Sequence, residues 1–233
     1  MSKSAVVTGA SSGLGKEIAL ALSKEGYNVL IVGRNKKGLE EVKSIIEKNS
    51  QKCFVVTGDL SEKSVQDNVF SEAAKNFKKI DVLVNNAGIL IEGPLEETTE
   101  RDIDYLMQVN TLSHIRLCKL FYQHMKANKS AGKIINIVST TGIAPKYNQA
   151  VYAASKFAMK GFTDSLRFEA NRHNIQVFGI YPGGMKTELH KKSGSKTDTS
   201  KFMDPAEVAS IVVNSTKTFS RTTGDLIIYR MDF

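Results

Sequence analysis

Near the start of the chain, residues 5–15 have the sequence AVVTGASSGLG, a short apolar run followed by a glycine-rich turn. Glycines allow a backbone to turn tightly and to approach a ligand closely. A helix is predicted directly after the turn, with Ile18, Ala19 and Leu22 on its apolar side. Its unpaired N–H groups and positive dipole end suit a pyrophosphate. The spacing G-x-x-x-G-x-G differs from the G-x-G-x-x-G of many dinucleotide-binding units. Ordinary turns also contain glycines, so the position after the first predicted strand is what favours a binding loop.

Short apolar runs alternate with amphipathic stretches of helical length along the rest of the chain. The runs are rich in Val and Ile and too short for helices, which is typical of buried strands. Strands separated by helices are parallel and are joined by right-handed crossovers, so helices cover both faces of the sheet. We therefore predict an α/β, doubly wound, mostly parallel sheet in a single domain over residues 1–233. The predicted strands are residues 5–8, 28–32, 53–56, 81–84, 134–138, 176–180 and 226–229.

The composition excludes several classes of protein. The chain has 233 residues, with 32 Lys and Arg against 24 Asp and Glu, so its formal net charge is +8. The lysines are dispersed and do not alternate with aromatic residues, so no nucleic-acid partner is predicted. Two cysteines, Cys53 and Cys118, are too few for a disulfide framework or a four-ligand zinc site. The four histidines lack metal-ligand spacing and are expected at the surface. With no signal-like or membrane-length apolar segment, we predict a cytoplasmic protein without bound metal.

Four further segments follow the glycine-rich turn: Asn85-Asn86-Ala87-Gly88, Ser139, Tyr152-Ala153-Ala154-Ser155-Lys156, and Tyr181-Pro182-Gly183-Gly184 with Thr187. In this order the five motifs resemble those of the short-chain dehydrogenase/reductase family. The resemblance implies a seven-stranded Rossmann-like sheet, a nicotinamide cofactor, and hydride transfer to or from a carbonyl group. It also implies a homodimer or homotetramer. The amphipathic stretches 103–125 and 151–168 are compatible both with such an interface and with packing inside one chain.

The end of the second predicted strand bears on the choice of cofactor. An acidic residue there would bind the ribose of NAD. In this chain Gly33 occupies the place where NAD-preferring members of the family carry Asp, and no acid occurs before Glu40. Arg34 offers a forked donor to a 2′-phosphate, so we predict NADP(H); the alternative is an exposed loop cation. Some NADP-preferring relatives carry a basic residue directly before the second glycine of the turn, whereas this chain has Ser12 at that position.

The predicted cofactor-binding residues come from these motifs and from the loop after the third strand. Asp59 resembles the family's adenine-contacting aspartate, although an acid at a helix N-terminus has the same position. Asn86 and Gly88 are expected to support or face the cofactor, and a simple Asx turn is the alternative. The full set is Gly9, Ser11, Ser12, Gly13, Leu14, Gly15, Arg34, Asp59, Leu60, Asn86, Ala87, Gly88, Tyr152, Lys156, Pro182, Gly183 and Thr187.

Tyr152 and Lys156 are four residues apart, which puts them on one face of a predicted helix. We expect the lysine ammonium to lower the pKa of the phenol, so that Tyr152 exchanges a proton with a carbonyl or alcohol oxygen. Ser139 is expected to polarise the same oxygen. The resemblance also implies that Lys156 binds the nicotinamide ribose. It further implies that Asn110 is a fourth catalytic residue, which kinks a helix and holds a water. Each role has an alternative. The Tyr152–Lys156 spacing also occurs by chance on helix faces, Ser139 could be a helix cap, and Asn110 could face solvent.

The substrate is less defined by the sequence. A mixed, mostly apolar pocket is predicted from residues near three strand ends, namely Ile89, Leu90, Ile91, Thr141, Tyr147, Gln149 and Met185. The polar stretch 186–203 is predicted as a surface loop beside it. Its cations are compatible with an acidic substrate or simply with solubility. Three functions stay open: an NADP(H)-dependent carbonyl or alcohol oxidoreductase, a 3-oxoacyl-thioester reductase of fatty-acid synthesis, and an NADP(H)-sensing protein without turnover.

Overall fold

The computed structural model describes residues 2–129, 131–189, 193, 198–217 and 224–230. The strands of this part of the chain are β1 (Lys3–Thr8), β2 (Tyr27–Gly33), β3 (Cys53–Thr57), β4 (Val82–Asn85), β5 (Gly132–Ile137), β6 (Ile175–Pro182) and β7 (Asp225–Ile228). They form one seven-stranded sheet in the order β3-β2-β1-β4-β5-β6-β7. All neighbouring strands are parallel. The predicted doubly wound parallel sheet is therefore confirmed.

Within the described residues, the helices of at least eight residues are α1 (Gly13–Lys24), α2 (Lys36–Lys48), α3 (Lys63–Asn76), α4 (Glu100–Met107), α5 (Ser113–Ala127), α6 (Ala150–Asn171) and α7 (Pro205–Lys217). A π-helical turn, Gln108–Leu112, joins α4 to α5, and 3-10 turns occur at Leu95–Glu97 and Thr140–Gly142. α2 begins where the Asn35 side chain accepts a hydrogen bond from the Gly38 N–H, which satisfies a free donor of the first turn. Among the described residues, no helix combines the length and the apolar character needed to cross a membrane.

The core lies on both faces of the sheet, because successive side chains of a strand point to opposite sides. In β1, Ala5 and Val7 pack with Ile18 of α1 in one buried cluster. Val6, between them, packs in a second cluster with Phe121 of α5. Each large apolar side chain that leaves water in this way contributes about 1.5–3 kcal/mol. Burial on both faces is the reason why the strands read as continuous apolar runs in the sequence.

Four strands, β2, β3, β4 and β6, extend beyond their predicted carboxyl ends, and β4 and β6 show the reason. β4 includes Asn85, which pairs in register with Asn136 of β5 and donates from Nδ2 to its Oδ1 at 2.9 Å. β6 continues to Pro182, because Tyr181 and Pro182 pair with β7. In both cases a non-apolar or helix-breaking residue stays in the strand since a neighbouring strand provides its partner.

The order of strands positions the site. β1 lies between β2 and β4, so the connection after β1 and the connection after β4 run to opposite sides. In doubly wound sheets the crevice at this switch point, beyond the carboxyl ends of the strands, receives ligands. The glycine-rich turn after β1 and the Asn86–Gly88 segment after β4 both lie there.

Candidate active site

One cavity of about 680 Å³ extends across the carboxyl ends of β1, β4, β5 and β6. All seventeen residues predicted to bind the cofactor line this cavity, from Gly9 in the first turn to Thr187 after β6. Ser139, predicted to be catalytic, lines it as well, whereas Asn110 does not. Residues from Gly9 to Leu189, at opposite ends of most of the chain, are thus brought into one site by the sheet topology.

The glycine-rich turn lets α1 approach the end of β1 very closely. Gly9 has a φ of +66°, in the left-handed region that favours glycine, and a Cβ on Gly15 would lie only 2.3 Å from the Gly9 carbonyl oxygen. Ser12, at the N-cap of α1, makes no side-chain capping bond within the described residues, and the first turn contains no acid. The free N–H groups and the positive end of α1 therefore line the cavity, which fits a dinucleotide diphosphate.

The segment after β4 is tied to the end of β1 by hydrogen bonds. The backbone N–H groups of Asn86 and Ala87 donate to Thr8 Oγ1 at 2.9 and 3.0 Å. The Asn86 side chain donates from Nδ2 to the Thr8 carbonyl at 2.9 Å. Asn86 therefore holds the two cavity-lining loops together, which is the supporting role predicted for it rather than a local Asx turn.

At one end of the cavity, Arg34 and Asp59 meet a residue that the sequence did not indicate, Tyr105 of α4. The Tyr105 hydroxyl donates to Asp59 Oδ2 at 2.6 Å and accepts from Arg34 Nη1, which itself lies 3.4 Å from the same carboxylate oxygen. Burial acts to raise the pKa of Asp59, but hydrogen bonds from Tyr105 and Ser61 and the Arg34 charge lower it overall. Burial, with the hydrogen bond to Asp59, raises the pKa of Tyr105. The only available signal was an aromatic residue on an amphipathic stretch.

The opposite part of the cavity contains Ser139, Tyr152 and Lys156. Ser139, after β5, has a φ of +138°, a conformation that is rare for a residue with a side chain. Its hydroxyl oxygen accepts a hydrogen bond from the Thr141 N–H at 3.1 Å. Tyr152 and Lys156 are both buried, at 7% and 4% exposure. The Lys156 Nζ lies 5.7 Å from the centroid of the Tyr152 ring and donates to the Ile137 carbonyl at 3.4 Å.

The sequence predicts a lowered pKa for Tyr152. This prediction is wrong when only the groups of the protein itself act on the phenol. Burial raises the pKa of the phenol to about 12, the nearby Glu92 charge adds to this, and the Ser139 hydroxyl acts in the opposite direction. Burial also lowers the pKa of Lys156 to about 8. Desolvation, which the spacing of the motif does not reveal, is the largest cause of both shifts.

Asn110 is fully buried in the π-helical turn, so the alternative of a solvent-facing asparagine is excluded. Its Oδ1 accepts from the Ile89 N–H at 2.8 Å, and its Nδ2 donates to the Ile89 carbonyl at 2.9 Å. The same Nδ2 lies 3.3 Å from Ser155 Oγ on α6. Asn110 thus links the π turn, the segment after β4 and the helix that carries Tyr152.

Between these residues and the surface, the cavity has an apolar wall and a polar wall. The apolar lining residues are Ile89, Leu90, Ile91, Met185 and Leu189. On the polar side, Thr141 Oγ1 donates to Gln149 Oε1 at 3.4 Å, and Gln149 Nε2 donates to Glu92. The mixed pocket predicted from the sequence therefore has the expected character.

Two expectations about individual side chains are wrong. Tyr147 does not line the pocket, because the turn directs its ring outward to 92% exposure while the neighbouring Lys146 lines the cavity. His114 is not at the surface, because it lies on the packed face of α5; burial lowers its pKa to about 3, and the Lys156 charge adds to this shift.

Other expectations concern the polar loop and metal binding. In the loop 186–203, residues 190–192 and 194–197 lie outside the described part of the chain. Its two ends are joined, since Lys186 N donates to the Met203 carbonyl at 2.9 Å and Met203 N donates to the Gly184 carbonyl at 3.1 Å. Within the described residues, no group of three or more His, Cys, Asp or Glu could hold a metal ion.

Comparisons with known proteins agree with this geometry. The chain matches the family model described as short chain dehydrogenase over residues 3–198. A hydroxynaphthalene reductase-like protein of Metarhizium robertsii is 34% identical over 190 residues, which are 81% of this chain and 70% of that protein. An alcohol dehydrogenase from the archaeon Thermococcus sibiricus, complexed with 5-hydroxy-NADP, has a TM-score of 0.89 at 25% identity and covers 99% of both chains. The L-sorbose reductase of Gluconobacter frateurii, complexed with NADPH and L-sorbose, has a TM-score of 0.86 at 26% identity, over 98% of this chain and 95% of that chain.

Proposed function

The chain belongs to the short-chain dehydrogenase family, and we propose that it is an NADP(H)-dependent oxidoreductase that interconverts a carbonyl group and a secondary alcohol. The observation that carries the proposal is one cavity whose two ends suit the two halves of this task. An arginine and a helix N-terminus line one end, and Ser139, Tyr152 and Lys156 line the other. The similar structures complexed with 5-hydroxy-NADP and with NADPH support the choice of cofactor.

The residues that would hold the cofactor follow from this division. The first turn of α1 would bind the diphosphate, Arg34 a 2′-phosphate, and Asp59 the adenine amino group. Lys156 would bind the nicotinamide ribose. When bound, the nicotinamide supplies or accepts the hydride that distinguishes ketone from alcohol.

Tyr152 is the general acid and base of the proposal. With a pKa raised to about 12 by burial, its phenol is protonated at neutral pH and can donate to a carbonyl oxygen during reduction. The Ser139 oxygen accepts a hydrogen bond from the Thr141 N–H, and its hydroxyl, which lowers the pKa of Tyr152 by a hydrogen bond to the phenol, would donate to the same carbonyl oxygen once a substrate is bound. In the direction of oxidation, Tyr152 would accept the alcohol proton as a phenolate, a form that the Lys156 ammonium together with the positive charge of an oxidised nicotinamide would favour.

The test is a spectrophotometric assay of NADPH consumption against four groups of carbonyl compounds: aldehydes, diketones, aromatic and sugar ketones, and 3-oxoacyl thioesters. Turnover of simple ketones or aldehydes supports the proposal. A strong preference for thioesters would instead support a 3-oxoacyl-thioester reductase. Tight NADPH binding without consumption of any carbonyl would contradict catalysis and indicate a sensing protein.

The assembly is a separate proposal, a homodimer or homotetramer. It is supported by the exposed face of α6, on which Phe157 and Phe168 are 43% and 75% exposed and lie three helical turns apart. Light scattering on the purified protein tests it, and a monomeric mass at micromolar concentration would contradict it.

A further inference from the structure

The Arg34, Asp59 and Tyr105 side chains come from three separate elements. Arg34 follows β2, Asp59 follows β3, and Tyr105 lies on α4. All three line the cavity, at the end where the proposed cofactor would place its 2′-phosphate. The Tyr105 hydroxyl contacts both charged groups, as donor to Asp59 and as acceptor from Arg34.

We propose that Tyr105 is a positioning residue that sets the preference for a 2′-phosphorylated dinucleotide, by holding the Arg34 guanidinium and by occupying the Asp59 carboxylate. This inference rests on the proposed function. It adds a residue that none of the sequence motifs contains, and it assigns that residue a role in the choice between NADPH and NADH.

The physical basis is the competition between a phosphate and Asp59 for Arg34. The Asp59 Oδ2 lies 3.4 Å from Arg34 Nη1, so the carboxylate is an alternative anionic partner for the guanidinium. The Tyr105 hydroxyl has a single proton, which it donates to this Oδ2, while a lone pair accepts from Arg34. Without the hydroxyl, the carboxylate loses a donor and attracts Arg34 more strongly. The guanidinium is then less available to a phosphate, and the unshielded negative charge repels it.

A purely structural role for the hydroxyl is a weaker explanation. Tyr105 is half-buried and is absent from the large apolar clusters of the described residues, whereas its helical neighbour Leu106 is completely buried. Replacement by Phe keeps the ring and its contacts and removes only the hydroxyl. The variant should therefore fold normally, and its effect should be confined to one end of the cavity.

The experiment measures dissociation constants for NADPH and NADH by titration calorimetry. We expect Tyr105→Phe to raise the dissociation constant of NADPH about three- to tenfold, the range of one hydrogen bond. The dissociation constant of NADH should change less than about twofold. Tyr122→Phe is the matched control, because Tyr122 of α5 packs its ring near His173 and does not line the cavity. It should leave both constants unchanged. An equal effect of Tyr105→Phe on both dinucleotides would overturn the inference.

Two double variants separate positioning from a general disturbance. In the Arg34→Ala background, Tyr105→Phe should cause no further loss of NADPH affinity, since the residue acts through Arg34. In the Asp59→Asn background, Tyr105→Phe should change the ratio of NADH to NADPH dissociation constants less than it does in wild type, because the competing charge is gone and only the contact that holds Arg34 is lost. If Tyr105→Phe had about the same effect in either background as it has in the wild-type protein, the inference would be overturned.

The failures of the two proposals are distinguishable. Wild-type protein that binds NADPH no more tightly than NADH would contradict the proposed cofactor, and with it the role of Tyr105. Wild-type protein that prefers NADPH, with a preference that Arg34→Ala removes and Tyr105→Phe retains, would leave the cofactor intact and overturn the role of Tyr105 alone.

Discussion

Asn110 and Ile89 are joined by a reciprocal pair of hydrogen bonds, in which the asparagine side chain satisfies both the N–H and the C=O of the same backbone residue, at 2.8 and 2.9 Å. Such a pair fixes the loop after β4 relative to the π-helical turn as an adjoining strand would. Because Ile89 to Ile91 form part of the apolar cavity wall, the position of that wall depends on one buried amide.

Asn110→Ala should destabilise the protein by about 1–3 kcal/mol, because the part-buried N–H and C=O of Ile89 each lose a hydrogen bond worth about 0.5–1.5 kcal/mol. Urea denaturation followed by circular dichroism measures the change. Asn128→Ala is the control, since the exposed Asn128 amide donates to the His124 carbonyl at the end of its own helix. It should cost less than about 0.5 kcal/mol. Equal midpoints for Asn110→Ala and wild type would contradict the importance of the pair.

Tyr152→Phe should reduce turnover by about 10²–10⁴-fold, since the acid that protonates the carbonyl oxygen is removed while the ring and its packing remain. The dissociation constant of NADPH should change by less than about tenfold, the loss of one hydrogen bond at most. Tyr147→Phe should keep full turnover, because its ring is directed to solvent. Steady-state kinetics together with calorimetry test both statements. Retained activity of Tyr152→Phe would remove this residue from the mechanism.

Ser139→Gly should be more stable than Ser139→Ala by about 1–3 kcal/mol, the cost of holding a residue with a Cβ at this unusual backbone conformation. The φ of +138° is accessible to glycine without strain. Both variants lose the hydroxyl, and with it the bond from Thr141, so their difference isolates the backbone strain. Thermal unfolding of the pair measures it. A more stable alanine variant would show that the strain is absent, and both variants should lose most of their turnover.

Lys156 should make the stability of the protein depend on pH. Its folded pKa of about 8 is below the ordinary value of 10.5, so between these values the unfolded chain binds the extra proton and stability rises with pH. Below pH 8 the buried ammonium is a penalty on the order of 3 kcal/mol. Lys156→Met keeps an unbranched side chain without the charge. Its free energy of unfolding should therefore exceed that of wild type most clearly near pH 7. The difference should shrink as the pH is raised to about 10. A constant difference across this range, measured by urea denaturation, would contradict the assignment.

Much of the fold was predictable from local patterns. The seven apolar runs each became a strand, because a strand covered by helices on both faces must be apolar along its whole length. The glycine-rich turn predicted a tight turn and a close approach of the backbone to a ligand; the structure adds a close approach of helix to strand, since a Cβ on Gly15 would lie 2.3 Å from the Gly9 carbonyl oxygen. The strand ends at Asn85 and Pro182 were missed, because the partner strand that holds each polar or cyclic residue is not visible in the local sequence.

For the candidate site, too, one part was predictable from the sequence and another part was decided by packing. The resemblance of the motifs to those of the short-chain dehydrogenase/reductase family named most of the residues around the cavity, and the rule that parallel strands bring their carboxyl ends to one edge explains why they lie together. Packing alone determined what those residues do to one another. Tyr105 contacts Arg34 and Asp59 across 71 and 46 positions of the chain, and Asn110 reaches Ile89 across 21. The raised pKa of Tyr152 has the same origin, because desolvation depends on every neighbour that excludes water and no single stretch of sequence records it.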